Sequence, residues 1–203
     1  SGQPHSVKLA KKYGFKRYTT DYDEILDNDS INCVVIATRH DSHAALTVRA
    51  LNAGKSVYVE KPIAITREEL SEVEKAYKNN MNNSMLMIGY NRRFSPLLQK
   101  IKKLLKEITN PKSLIYTINS GSVPDNHWTT DKRIGGGRII GEVCHFIDLA
   151  CWIINSDIVS VSTVPAESIS CGIDDGIMTT ILFANGSVAA IHYLTNGSNK
   201  LSK

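Results

Sequence analysis

Three short apolar runs, each followed by a helical pattern, constrain the fold of this chain more than any other feature. The first run, residues 33–38, is continuous and rich in β-branched side chains, as in a strand that is covered on both faces. The second, residues 56–60, lies between Gly54 and Pro62, and the third covers residues 85–90. Strands that alternate with helices predict a parallel, doubly wound sheet. Right-handed crossovers bring the carboxyl ends of all three strands to one edge.

The helical segments around these strands carry their own start signals. Residues 43–52 have an amphipathic pattern and predict a helix between the first two strands. Thr66 and Glu69 have the spacing of a capping box, which predicts a helix that ends near residue 79. Ser95-Pro96 supplies an N-cap and a first-turn proline, so another helix is predicted up to about residue 108. Two shorter helices are predicted earlier, at residues 6–13 and 22–26.

The pattern changes after Pro111. A strand is predicted at residues 114–120, followed by a loop and then by a long helix at residues 138–154. Beyond residue 158 the sequence is typical of strands, and Asn185-Gly186 is a strong hairpin signal between two of them. This half of the chain is therefore expected to be α+β, with a mostly antiparallel open sheet.

Two features of a dinucleotide-binding fold are absent from the 203 residues. No G-x-G-x-x-G turn follows a strand, and no acidic residue ends the second strand of such a unit. The chain begins where the third unit of such a fold would begin. We therefore expect an α/β protein with a partial Rossmann-type domain at residues 1–92 that lacks the first strand-turn-helix. An incomplete α/β substrate and oligomerisation domain is expected at residues 93–203.

Composition and charge exclude several function classes. Lys and Arg number 24 against 20 Asp and Glu, and the net charge of +4 is spread along the chain, so no nucleic-acid partner is expected. No apolar run approaches the roughly 18 residues that span a bilayer, so no membrane association is expected. The cysteines form no C-x-x-C pair, and His40 and His43 have no further ligand pattern, so no metal site is predicted. Unpaired cysteines favour a reducing, cytoplasmic setting.

Lys61 is the strongest candidate for chemistry from the pattern alone. It follows the strand at residues 56–60, at the edge where open α/β sheets bind ligands. Pro62 restricts Lys61 to an extended conformation, which aims its ammonium group. A lysine at this place can donate three hydrogen bonds to a substrate, or it can be an ordinary surface lysine after a strand.

Three stretches occur in an order and at spacings that are specific as a set. They are Val34-Val35-Ile36-Ala37-Thr38 with His43, then Val59-Glu60-Lys61-Pro62, then Gly135-Gly136-Gly137 through to His145 and Asp148. Together they resemble the Gfo/Idh/MocA family of NAD(P)-dependent oxidoreductases over nearly the whole chain. The segment Gly89-Tyr90-Asn91-Arg92-Arg93-Phe94-Ser95-Pro96 is similar to a branch found in polysaccharide gene clusters. Members of that branch are sometimes fused behind a zinc-dependent alcohol-dehydrogenase-like domain.

The resemblance implies a dehydrogenase that transfers a hydride between NAD or NADP and a hydroxyl-bearing carbon of a sugar, sugar nucleotide or cyclitol. Lys61 and His145 match the family's catalytic positions. The family has an aspartate four residues before this histidine, where this chain has Gly141; Glu142 or Asp148 could take its role, or no residue. The resemblance also implies a homo-oligomer formed through the second-domain sheet, and the branch similarity suggests a larger fused polypeptide. Because the pyrophosphate-binding turn is absent, the fragment itself is expected to bind cofactor poorly and to be inactive.

The candidate site residues fall into two sets. The cofactor-binding set flanks the edge of the first sheet and comprises Thr38, His43, Glu60, Lys61, Pro62, Asn91 and Arg92. The substrate-binding set lies mainly in the second half and comprises Lys61, Trp128, Glu142, His145 and Asp148. His145 also fits a packed core histidine, and Trp128 fits a cap on the core. Asn91 and Arg92 fit equally well a tie between the two halves.

A rival interpretation keeps the family but not the activity. Gly141 in place of the aspartate is compatible with a catalytically inactive member, or with a fragment that serves as a binding or assembly domain. The two interpretations differ in whether Lys61 is needed for hydride transfer.

Overall fold

The computed structural model describes residues 3–121, 123–124, 126–166, 176–195 and 197, which form a sheet of three strands and a sheet of four. The helices are α1 (Gln3–Tyr13), α2 (Asp23–Leu26), α3 (His43–Asn52), α4 (Arg67–Asn80), α5 (Pro96–Leu105) and α6 (Cys144–Ile154). The strands are β1 (Cys33–Ile36), β2 (Ser56–Val59), β3 (Leu86–Ile88), β4 (Ser113–Asn119), β5 (Ile158–Ala166), β6 (Gly176–Phe183) and β7 (Val188–Leu194).

The first sheet is parallel throughout, with the strand order β1-β2-β3, which confirms the predicted Rossmann-type sheet. Each strand is shorter than predicted, because the last residues of each apolar run leave the sheet at its carboxyl edge. That edge gathers the segments that follow the three strands, as right-handed crossovers require. Buried side chains from the strands, the adjoining helices and the segment after β2 form its core: Ile36, Ala44, Ala50, Leu51, Val57, Val59, Ile63, Val73 and Ala76.

One expectation about this sheet is wrong. The continuous apolar run at residues 33–38 predicted a strand that is covered on both faces, but Val35 is 68% exposed. Cys33, two residues earlier and on the same face, is also exposed. Only Val34 and Ile36 face the core. The described residues therefore cover β1 on one face.

Local signals set several helix boundaries as predicted. The Thr66 hydroxyl accepts a hydrogen bond from the backbone N–H of Glu69 at 3.1 Å, and the Glu69 carboxylate accepts one from the N–H of Thr66 at 3.2 Å. This reciprocal pair confirms the capping box at the start of α4. Pro96 starts α5 as predicted, although the side chain of Ser95 makes no capping bond.

The second sheet is mixed and mostly antiparallel, with the strand order β4-β7-β6-β5. β6 and β7 form the predicted antiparallel hairpin, with Gly186 at a φ of +80° in its turn. β4 lies parallel to β7. Apolar side chains of α6 pack against one face of the sheet and form a second core with it. Residues 167–175, part of the predicted strand region, and the tail at 198–203 lie outside the described residues.

A short helical turn, Asn91–Phe94, and α5 connect the two sheets. The division of the chain into domains between residues 92 and 93 stays a prediction. None of the helices in the described part of the chain is long and apolar enough to cross a membrane.

Candidate active site

Lys61 follows β2 at the carboxyl edge of the parallel sheet, and the second half of the chain holds its side chain. Its Nζ donates a hydrogen bond to the carbonyl oxygen of Gly141 at 2.7 Å. The Oε1 atom of Glu142 lies 3.9 Å from the same Nζ. The side chain of Lys61 is only 17% exposed, so its ammonium group is oriented rather than free in solvent.

The buried imidazole of His43 contacts the backbone of the loop that carries Lys61. The imidazole of His43 is 1% exposed. Its Nδ1 lies 2.8 Å from the carbonyl oxygen of Pro62, and its Nε2 lies 3.1 Å from the carbonyl oxygen of Thr38. The sequence placed His43 beside the cofactor, but the structure buries the ring under the loop, with both nitrogens facing backbone carbonyls. His43 therefore positions the Lys61-Pro62 segment, which contains a cis peptide bond.

Other members of the predicted cofactor set lie at the same edge of the sheet. Thr38 and Asn91 are exposed there, after β1 and β3 respectively. The Thr38 hydroxyl lies 2.6 Å from that of Ser42. The Glu60 carboxylate accepts a hydrogen bond from the Tyr58 hydroxyl at 3.1 Å. The three strand ends thus bring polar groups together, as the parallel sheet predicted.

His145, on α6, is buried, and its Nδ1 has no hydrogen-bond partner in the part of the chain that the structure describes. Its ring lies edge-on to that of Tyr90, with 6.1 Å between the ring centroids. Burial lowers the pKa of His145, and the nearby cations of Lys61 and Arg92 lower it further. The ring is therefore neutral near neutral pH, with one nitrogen whose hydrogen-bonding capacity is unused.

A π-helical turn, Ile139–Val143, precedes α6. Such turns interrupt the α-helical hydrogen-bond ladder and are frequent at functional sites. This turn supplies both groups that hold Lys61, the carbonyl of Gly141 and the carboxylate of Glu142. Before the turn, Gly135 packs so closely that a Cβ there would lie 2.5 Å from the Thr129 backbone. A glycine at this place therefore lets the preceding loop close against the turn.

A cavity of about 430 Å³ opens beside Lys61. Lys61 and Glu142 contribute charged groups to its wall, and His40 and Trp128 contribute rings whose centroids are 4.8 Å apart. Arg138 is buried in the same wall. An aromatic ring surrounded by a few donors and acceptors suits a small polar ligand. A larger groove of about 520 Å³ lies against α5, but four lysines and no carboxylate or histidine line it.

Asp148, Arg92 and His145 do not line this cavity. The Arg93 guanidinium donates to both carboxylate oxygens of Asp148, with Nε 2.7 Å from Oδ2. The Arg92 guanidinium lies over the ring of Phe146, 4.5 Å from its centroid. These contacts join the end of β3 to α6. They favour the alternative in which this segment connects the two halves of the chain. The predicted substrate contact of Asp148 is not supported, because an arginine engages both of its oxygens.

The polar strand ends at this edge are suited to hydrogen-bond a dinucleotide cofactor. Nδ1 of His145 and Nε of Arg92 are buried without partners among the described residues; the guanidinium N–H can only donate, whereas the imidazole nitrogen can donate or accept according to its tautomer. Glu60, Lys61 and Asn91 add polar groups along the strand ends.

Family comparison agrees with this geometry. The family model described as "Oxidoreductase family, NAD-binding Rossmann fold" matches residues 1–90. The model of the GFO/IDH/MocA C-terminal domain matches residues 98–200. The chain belongs to the Gfo/Idh/MocA family. The resemblance drawn from the three motif stretches is therefore confirmed.

This Gfo/Idh/MocA chain is similar to curated dehydrogenases along most of its length. It is 27% identical to levoglucosan dehydrogenase of Pseudarthrobacter phenanthrenivorans over 225 residues, which covers 96% of this chain and 57% of that protein. It is 31% identical to inositol 2-dehydrogenase of Rhizobium meliloti over 169 residues, which covers 82% of this chain and 49% of that protein. The chain thus spans about half the length of the curated relatives that it matches.

Solved structures share the architecture. Levoglucosan dehydrogenase in complex with NADH and levoglucosan matches with a TM-score of 0.85 at 29% identity, over 97% of this chain and 56% of that chain. A putative myo-inositol dehydrogenase from Sinorhizobium meliloti matches with a TM-score of 0.82 at 27% identity, over 96% of this chain and 59% of that chain. A Rossmann-type sheet followed by a mixed sheet is therefore the family's arrangement in this chain as well.

Sequence reasoning missed two residues in the cavity wall. His40 entered only beside His43, where the metal pattern was excluded, and Arg138 only as the start of a predicted helix. Their burial depends on bonds to backbone carbonyls that are 95 and 17 residues away in the chain. No local pattern reports such contacts. The one available signal was Gly141, since a missing side chain leaves room for a neighbour.

Proposed function

We propose that this chain carries the hydride-transfer site of an NAD(P)-dependent dehydrogenase that acts on a sugar, sugar nucleotide or cyclitol. The observation that carries the proposal is the ammonium group of Lys61. It is held 2.7 Å from the Gly141 carbonyl oxygen and 3.9 Å from Glu142 Oε1, at the wall of a carbohydrate-sized cavity. The names of two relatives, levoglucosan dehydrogenase and inositol 2-dehydrogenase, support this substrate class.

Oxidation of an alcohol requires removal of the hydroxyl proton as the hydride leaves. Bound at the strand edge, NAD supplies the acceptor for that hydride. Lys61 contacts the reacting oxygen and stabilises the negative charge that develops on it. Glu142 accepts the proton that passes through Lys61. His145 is kept neutral by burial and does not line the cavity, so its ring must turn toward Lys61 to give the same oxygen a second hydrogen-bond partner.

Glu142, rather than Asp148, takes the role of the family aspartate that Gly141 replaces. Glu142 supports this assignment because its carboxylate lies beside Lys61 and lines the cavity. The ion pair of Asp148 with Arg93 argues against the alternative. A carboxylate at this place also argues against the inactive family member that Gly141 suggested.

The test is a steady-state assay of the full-length product of the gene with NAD and NADP. The substrates are a panel of cyclic polyols that includes levoglucosan and the inositols, and the signal is the absorbance of reduced nicotinamide. We expect turnover of at least one panel member and its loss in Lys61→Met. A protein that binds the cofactor but oxidises no panel member would contradict the proposal. Micromolar binding of NAD by the 203-residue chain alone would contradict the expectation of weak binding.

We also propose that the chain forms homo-oligomers through the open face of the second sheet. The strand register places four exposed apolar side chains on the face opposite α6. They are Ile115, Val164, Met178 and Leu182. Light scattering tests this: Met178→Glu should yield monomers, and Val35→Glu, at an exposed position of the first sheet, should not. Monomers in the unmodified protein would contradict it. A larger fused polypeptide and a cytoplasmic setting stay predictions.

A further inference from the structure

Gly141 has no side chain, yet the space beside it is filled. A Cβ built at Gly141 would lie 3.2 Å from Cε1 of His40 and 3.6 Å from its Nδ1. The shorter distance is tighter than ordinary van der Waals contact, so a side chain at residue 141 requires the imidazole to shift by a few tenths of an ångström. The His40 ring therefore packs against the point where a side chain at residue 141 would begin.

A backbone hydrogen bond fixes how His40 presents its two ring nitrogens. Its Nδ1 lies 2.8 Å from the carbonyl oxygen of Gly135. A carbonyl can only accept, so Nδ1 carries the hydrogen, and Nε2 is an acceptor in the neutral ring. Burial lowers the pKa of His40; the Gly135 bond offsets part of this shift, and the charge of Lys61 adds to it. The neutral form with an acceptor at Nε2 is therefore favoured near neutral pH.

The unused acceptor lies among groups that can bind a polyol. His40 lines the same cavity as Lys61 and Glu142, and its Nε2 has no hydrogen-bond partner within the described ranges. A sugar hydroxyl both accepts and donates, so one that accepts from the ammonium group of Lys61 needs an acceptor for its own hydrogen. A carboxylate at residue 141 would be such an acceptor, and this chain has none there.

We infer that His40 is a substrate-contacting residue whose Nε2 accepts a hydrogen bond from a hydroxyl of a cyclic polyol, beside the position where Gly141 has no side chain. The inference rests on the proposed function, because the polyol is the substrate of that same site. A purely structural His40 would need only the bond from Nδ1 to Gly135.

His40→Asn separates the two roles. The asparagine amide can still donate to the Gly135 carbonyl, but it has no group at the position of Nε2. We expect an unchanged melting temperature and a kcat/KM for the polyol that falls by about 10- to 100-fold, as for one lost hydrogen bond in a binding site. The KM for NAD should not change. The wild type should discriminate against a deoxy analogue that lacks the contacted hydroxyl, and His40→Asn should abolish that discrimination.

His40→Gln is the matched control. Its longer side chain reaches the Nε2 position with an amide oxygen but leaves the Gly135 carbonyl without its donor. We expect a lower melting temperature together with retained discrimination against the deoxy analogue. The two variants therefore move stability and specificity in opposite ways.

An exchange between positions 40 and 141 gives an independent test. Gly141→Asp alone should lower activity and melting temperature, because its Cβ meets the His40 ring at 3.2 Å. His40→Ala removes the ring, so His40→Ala combined with Gly141→Asp should be more active than either single variant. A double variant no better than either single variant would overturn the inference.

Two outcomes separate this inference from the proposed function. Wild-type kcat/KM and unchanged discrimination against every deoxy analogue in His40→Asn would overturn the role of His40 and leave the dehydrogenase standing. A wild-type protein that oxidises no polyol would instead overturn the proposed function. The contact itself is then decided by titration with levoglucosan or an inositol, followed through the imidazole NMR signals of His40. Signals that do not move at saturation would overturn the inference.

Discussion

Two carboxylates flank His145 at equal distances along the chain, and the structure gives them opposite surroundings. Glu142, three residues before the histidine, is 38% exposed at the cavity wall beside Lys61. Asp148, three residues after it, is 7% exposed and pairs with Arg93. Equal spacing along the chain therefore does not determine the role of either residue. The partner supplied by another element of the fold does.

Burial explains the difference. A carboxylate as buried as that of Asp148 must be paired, since an isolated charge is costly to remove from water. Glu142 is partly exposed and 3.9 Å from an ammonium group, so its attraction to Lys61 is weak. A weakly held carboxylate can change partner when a substrate enters. The ion pair of Asp148 instead fixes β3 against α6.

The largest expected effect concerns Lys61, because the assigned role of Glu142 depends on the ammonium group of Lys61. We expect Lys61→Met to lower kcat/KM by roughly 100- to 10,000-fold, the usual range for loss of an acid–base group. Lys78→Met is the matched control, since the ammonium group of Lys78 is exposed on α4, and it should leave activity unchanged. Steady-state kinetics with the best polyol measures both. Near wild-type kcat/KM in Lys61→Met would remove Lys61 from the site.

Glu142→Gln tests the catalytic side of the comparison. We expect kcat/KM to fall by about 10- to 100-fold, because an amide cannot take up the proton that a carboxylate accepts. The melting temperature should not change, since a partly exposed ion pair contributes little to stability. Glu74→Gln, in an exposed pair with Lys78, is the control. Loss of stability without loss of turnover in Glu142→Gln would reverse its assigned role.

Asp148→Asn tests the structural side. Removing the charge that Arg93 contacts should lower the free energy of unfolding by about 1–3 kcal/mol. The folded variant should keep its kcat/KM, because Arg93 engages both carboxylate oxygens of Asp148 outside the cavity. Urea denaturation and kinetics on the same preparation measure both quantities. A stable variant that has lost turnover would show that Asp148 belongs with Glu142.

The smallest expected effect is on acid stability. Burial lowers the pKa of both His145 and His40 below the ordinary value of 6.5. As the pH falls through about 6.5, these rings take up protons in the unfolded chain before they do so in the folded chain. The contribution of these two neutral rings to the free energy of unfolding is therefore fully present above that pH and declines below it. His145→Gln should flatten the decline in urea titrations at a series of pH values, and an increase in wild-type stability on acidification would contradict the sign.

The sequence predicts the elements of this fold well where the signals are local. The capping box at Thr66 and the turn at Asn185-Gly186 specify structure within a few residues, and both are confirmed. The position of Lys61 at the sheet edge also follows from the sequence, because a residue that follows a parallel strand lies at the carboxyl edge of the sheet. The exposure of Val35 does not, since a continuous apolar run reports hydrophobicity but not which face the rest of the chain covers.

The contacts that define the candidate site are not local. Lys61 is bonded to a carbonyl 80 residues away, and His40 to one 95 residues away. His43 was selected from its motif, yet its ring supports the loop from inside. The motif identifies the residue type at this position but does not indicate the direction in which the imidazole ring faces. Only the packing of the second half against the sheet edge separates Glu142 from Asp148.

The most direct test is a double-mutant cycle on kcat/KM between Lys61 and Glu142, with a cycle between Lys61 and Asp148 as the reference. We predict that Glu142→Gln adds little to the loss in Lys61→Met, because the carboxylate acts through the ammonium group. Asp148→Asn should combine additively with Lys61→Met. Additive losses for Lys61 and Glu142, with coupling instead between Lys61 and Asp148, would contradict the assignment of Glu142 to the site.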